Sequence, residues 1–142
     1  MRLKNTTDLT NEDVRKIIYF VRPPNISNFD VMVKNGKALV GRAYYKGSGY
    51  HSTAHPFVVC RLPDKYPKPL KTYQIGQLKG KKYFLLNKLE ALVYVLAHEL
   101  RHLWQSKVKK GYRVWGARGQ FSEIDTESYA IHKLREFRKR GI

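Results

Sequence analysis

Between Leu89 and Leu103 the apolar residues return at a helical interval: Leu89, Leu92, Val93, Leu96, Leu100 and Leu103. Spacing of i, i+3, i+4, i+7 gathers them into one stripe, the mark of a helix packed on a core. Asn87-Lys-Leu-Glu90 opens this helix as a capping box, and it ends before Gly111. Thr10-Asn-Glu-Asp13 is a second capping box, so an N-terminal helix starts near Asn11. It runs through VRKIIYFV and stops at Arg22, because Pro23-Pro24 follows. Ser122-Glu-Ile-Asp125 can cap a last helix, reaching about Arg138.

Between the first two helices the pattern shortens to that of strands. FDVMV and KALVGRAYY flank Asn35-Gly36, a hairpin turn signal. Pro56-Phe-Val-Val-Cys-Arg-Leu62 reads as a third strand closed by Pro63. Asp64–Lys71, with Pro67 and Pro69, reads as a loop, and TYQIGQL with KKYFLL around Gly80 as a second hairpin. Residues 107–120 read as a basic loop with three glycines. The expectation is one α+β domain over residues 1–142, with a twisted, mainly antiparallel sheet.

Composition narrows the class. The chain has 142 residues, 42% apolar and 13% aromatic, enough to build a core and far from a disordered composition. No stretch approaches the ~18 apolar residues of a membrane span, and MRLKNTTDLTNEDV has no apolar leader segment. A cytoplasmic protein with no membrane partner is expected. The single cysteine, Cys60, cannot form an internal disulfide; inside FVVCRL it reads as a core residue. Charge is the unusual feature: 28 Lys+Arg against 11 acids give +17. That excess favours polyanions, so nucleic acid is a candidate partner. In so basic a chain, three acids within Glu123–Glu127 call for a reason.

The reason is offered by VLAHELRHLWQ. His98 and His102 stand four apart on the leucine-striped helix, one above the other and turned from the stripe. Two imidazoles so placed can bind one zinc ion. Glu99 follows His98 by about 100° of helix rotation, near enough to take a proton from a metal-activated water. This is the logic of H-E-x-x-H, which leaves a metal one ligand short. Gln105 and Val108 stand where a metzincin would carry its glycine and third histidine, so that class is excluded. The remaining candidates are acids of the 123–127 cluster. On a helix Glu123 and Glu127 lie about 40° apart, whereas Asp125 is about 160° from Glu123. Glu123 can bind the ion, and Glu127, a turn behind it, can accept the free N–H of a ligating histidine. Asp125 has a simpler use in the capping box, accepting the Ser122 backbone N–H. His132 faces elsewhere. His51 and His55 read as loop or rim residues, and Tyr94 and Trp104 as packing residues.

HELRH followed by Glu123-Ile-Asp-Thr-Glu127-Ser-Tyr-Ala130 resembles the gluzincin metallopeptidases, whose second motif is E-x-x-A-D or E-x-x-A-N on a glutamate helix. The chain is similar to their smallest members, the minigluzincin and ImmA/IrrE-like group, firmly over about 87–137. That resemblance implies a zincin-like domain with an N-terminal helix, a small sheet, an active-site helix and a glutamate helix. It implies one Zn2+ bound by His98, His102 and Glu123, with Glu99 as general base and Glu127 in the aspartate position behind a histidine. Thr126 and Glu127 depart from the alanine and aspartate of the motif. The implied substrate is a protein or peptide, held as an added strand on a sheet edge, with Ala43–Tyr45 and Phe57–Arg61 as edge candidates. Two alternatives remain: a DNA-associated or regulatory binding module on a peptidase fold, and a SprT-like protease acting on DNA-bound proteins. The intact Glu99 favours an enzyme, and the third ligand of SprT-like proteins is usually a histidine, which weakens that match.

Overall fold

A computed structural model describes residues 1–44, 56–70, 83–108 and 120–141. Among these described residues nine elements follow one another: β1 (Leu3–Asn5), α1 (Asn11–Val21), β2 (Asp30–Asn35), β3 (Val40–Tyr44), β4 (Phe57–Leu62), β5 (Lys68–Pro69), β6 (Phe84–Leu85), α2 (Lys88–Val108) and α3 (Gln120–Arg140). The fold is α+β, as expected.

Local signals place the first two helices. Thr10 Oγ1 accepts the Asp13 N–H at 3.1 Å and starts α1 at Asn11. Asn87 Oδ1 accepts the Glu90 N–H at 2.9 Å and starts α2. Glu90 reaches back to the Leu86 N–H at 2.8 Å, one residue beyond the Asn87 N–H that a reciprocal box would use. The third helix begins at Gln120, ahead of Ser122, so the expected cap at Ser122 is not formed. Asp125 therefore lies well inside the helix, and its side chain serves another purpose.

The sheet departs from the hairpin reading. Its order is β1-β2-β4-β3. β1 with β2 and β2 with β4 are parallel, and only β3 with β4 is antiparallel. β4 thus inserts between the strands that Asn35-Gly36 separates. The Gly36 N–H bonds to Leu62 O of β4 at 3.0 Å instead of closing a two-strand turn. The apolar β4 explains this, since Val58, Cys60 and Leu62 are all fully buried and need neighbours on both sides. The sheet is mixed rather than mainly antiparallel. Phe57–Arg61 is an interior strand, while Ala43 and Tyr44 of β3 do lie on an edge strand. Lys68 and Pro69, expected in a loop, pair with Leu85 and Phe84. Most of the second hairpin and both His51 and His55 lie outside the described residues.

The central helix α2 is buried nearly all round. Ala91 through Ala97 are buried on every side, not along a single stripe. It packs on β3 and β4, on α1, and along α3. Val14, Ile17, Ile18 and Val21 of α1 and Ile131 and Leu134 of α3 close the core around it. Tyr129, beside Ala130, ties α3 to the end of α1 through a 2.6 Å bond from its hydroxyl to Val21 O. Among the described residues no helix is long and apolar enough to cross a membrane.

Candidate metal centre

The long contact between α2 and α3 carries the site. His98 and His102 are one turn apart on α2, with ring centroids 5.1 Å from each other. Glu123, in the first turn of α3, reaches between them. Its Oε2 lies 3.2 Å from His98 Nε2, and its Oε1 lies 3.1 Å from His102 Nε2. Donor atoms of the three residues all lie within 4.8 Å of one another, and together they could hold a metal ion. Tetrahedral ligands at ~2.0–2.1 Å from a zinc ion stand roughly 3.3 Å apart, so these separations suit it.

Electrostatics agree with a site that gathers positive charge. Hydrogen bonds from His102 and His98 hold the Glu123 carboxyl far below the ordinary carboxylate range. Burial works against a charged His102, yet the bond to Glu123 and the charges of Glu99 and Glu123 outweigh it and raise its pKa. An ion held by these three residues would replace those protons as the partner of the carboxylate.

Glu99 sits on the sheet side of the histidines and is 8% exposed. Burial raises its pKa, opposed by His98 and His102. Its carboxylate rests on the edge strand at Gly41, where an added Cβ would stand 2.7 Å from Glu99 Cγ and 2.9 Å from Oε1. Gly41 is paired with Cys60, whose thiol is fully buried and pushed up in pKa by that burial. A cleft of about 400 Å³ opens beside this carboxylate. It runs between Leu39, just before β3, and Gly41 of β3, Lys68 to Leu70, and Tyr94, His98 and Glu99 of α2.

Of the other acids, Glu127 is buried and lines the cleft near Tyr94 and His98. Asp125 turns away from the histidines, as helix geometry requires, and its carboxylate meets α2 instead. It accepts two bonds from Arg101, at 2.8 and 3.1 Å, and one from Gln105 at 2.9 Å. His132 is exposed and pairs with Glu136 at 3.0 Å, away from the site. Tyr94 and Trp104 pack, as expected. Trp104 lies under the Arg101 guanidinium at 3.7 Å.

Two contacts at the site have no motif behind them. Gln105 Oε1 lies 3.1 Å from His102 Nδ1. Thr126, fully buried, places Oγ1 3.2 Å from His98 Nε2 while bonding to Glu123 O. The i, i+3 spacing of His102 and Gln105 is the one signal in the sequence that allows the first contact.

Compared with models of protein families, with curated proteins and with solved structures, the chain matches none of them.

Proposed function

We propose that the protein is a zinc-dependent peptidase of gluzincin type. The supporting observation is the convergence of His98, His102 and Glu123 donors beside the buried carboxylate of Glu99. A structural zinc site closes its coordination and has no use for a neighbouring base, whereas a catalytic site keeps a position open. When bound, zinc supplies Lewis-acid activation of water and of a carbonyl.

The chain's own residues account for the rest. His98 and His102 act as neutral donors through Nε2, and Glu123 supplies the negative charge. Glu99, with its pKa raised by burial, is a stronger base than an exposed glutamate. It takes a proton from the attacking water and returns it to the leaving amine. The peptide lies extended in the cleft along β3, whose outer edge in the four-stranded sheet offers backbone groups for an added strand. Glu99→Gln tests this reading. It should retain zinc and lose peptide hydrolysis by about 10²–10⁴-fold, the usual worth of a general base. Loss of zinc in that variant would make Glu99 a ligand and refute the mechanism.

A second reading is favoured by the net charge of +17. A polyanion contact would bring the same site to proteins bound on nucleic acid.

A further inference from the structure

Behind His102 a run of polar contacts crosses from α2 to Asp125 of α3 and returns to Arg101 of α2. His102 Nδ1 meets Gln105 Oε1 at 3.1 Å, and Gln105 Nε2 donates to Asp125 Oδ2 at 2.9 Å. Arg101 grips the same carboxylate with both Nε and Nη2. Its guanidinium lies 3.7 Å from the Trp104 ring centroid and 5.0 Å from that of Tyr129. Gln105 is 4% exposed, so its amide is not averaged by solvent.

The run has a direction. An ionised carboxylate only accepts hydrogen bonds, and a guanidinium only donates them. Asp125, held by Arg101, can therefore receive only the NH2 end of the Gln105 amide. That turns the amide oxygen toward His102. An oxygen at that point requires a proton on Nδ1, and a neutral imidazole with Nδ1–H carries its lone pair on Nε2. Nε2 is the atom that faces Glu123 at 3.1 Å.

We propose that Gln105, Asp125 and Arg101 form a positioning relay that holds His102 in its Nδ1–H tautomer, with Nε2 presented to the metal. The relay rests on reading His98, His102 and Glu123 as a zinc site. It gives Asp125 a role in metal binding without any contact to the ion. It also gives a use to Gln105 beyond its exclusion of a metzincin.

The test is zinc affinity of the full chain, measured by chelator competition, together with long-range ¹H–¹⁵N spectra of the histidine rings in the zinc-loaded protein. Gln105→Leu should lower zinc affinity by about 10–100-fold, the usual effect of removing a partner that orients a ligand. Arg101→Met acts at the far end and should produce a smaller loss. The double variant should be no weaker than Gln105→Leu alone, since both act through one contact. Loaded wild-type protein should show a protonated Nδ1 on His102. Should Gln105→Leu fail to fold, Arg101→Met and the wild-type ring spectrum still decide the matter. Wild-type zinc affinity in the single variants, additive losses, or an unprotonated Nδ1 in loaded wild-type protein would overturn the relay while leaving the zinc site standing. A wild-type chain that binds no zinc would overturn both.

Discussion

Gly41 and Glu99 touch across the seam between the edge strand and the central helix, with no room for a side chain between them. A Cβ at position 41 would come within 2.6 Å of Val95 Cγ2 and 2.7 Å of Glu99 Cγ. Real carbon contacts are not that short, so α2 or the glutamate would have to move. The absent side chain is what lets Glu99 sit flat on β3 at the head of the cleft.

On the peptidase reading, Gly41→Ala should therefore press on Val95 and Glu99 directly and reach the histidines only through a shift of α2. We expect a loss of about 1–3 kcal/mol in stability, the range for an overpacked contact. Hydrolysis should fall more than zinc affinity. Urea titration and zinc competition on one preparation would separate the two. Undiminished hydrolysis would show that the glutamate does not need its seat on the strand.

Zinc should stabilise the folded chain by mass action. At a free zinc concentration 100 times Kd the gain is about 2.7 kcal/mol. His98→Ala, His102→Ala and Glu123→Ala should each abolish most of that gain, because each removes one of three donors. Thermal melting with and without zinc is the measurement. A full zinc-induced rise in all three variants would place the ion elsewhere.

The clamp between Glu90 and Arg138 joins the start of α2 to the end of α3. Arg138 bonds both carboxylate oxygens, at 2.9 and 2.7 Å, and also Phe84 O. Glu90 Oε1 further accepts the Leu86 N–H. Burial opposes the charge on Glu90, but Arg138 and the Leu86 N–H prevail and lower its pKa. A lowered carboxyl pKa contributes stability above the unfolded value of ~4.3, and that contribution is lost as pH falls through the folded value. Glu90→Gln should cost roughly 2–3 kcal/mol at neutral pH. This is below the ~3–5 of a fully buried pair, because the Arg138 side chain is still 29% exposed. The variant should also lose part of the acid limb of the stability curve. Equilibrium unfolding between pH 3 and 7 would reveal it, and parallel curves for the two proteins would argue against the clamp.

If the charge of +17 serves a polyanion, DNA binding should weaken steeply with salt, as phosphate contacts release counterions. Fluorescence anisotropy across a salt series is the check. No binding even at low salt would leave the charge as a surface property and favour the simple peptidase reading.

Much of the site was legible in the chain, because it depends on short-range spacing along helices. His98 and His102 at i, i+4 must share a face, and Glu99 must stand beside them. Glu123 and Asp125, two apart on one helix, must point in different directions. The caps at Thr10 and Asn87 act within three residues, so they too could be read directly. What lay beyond reach depended on partners distant in sequence. Asn35-Gly36 signals a turn, but nothing local announces that β4, more than twenty residues on, will enter between β2 and β3. The side chain of Asp125 was assigned to a neighbour in its own turn. Arg101 and Gln105, on another helix, supply its partners, a bidentate guanidinium and a buried amide. The seat of Glu99 on Gly41 belongs to the same class. Helical spacing aims a side chain, but only the packing of α2 on the sheet decides what it meets.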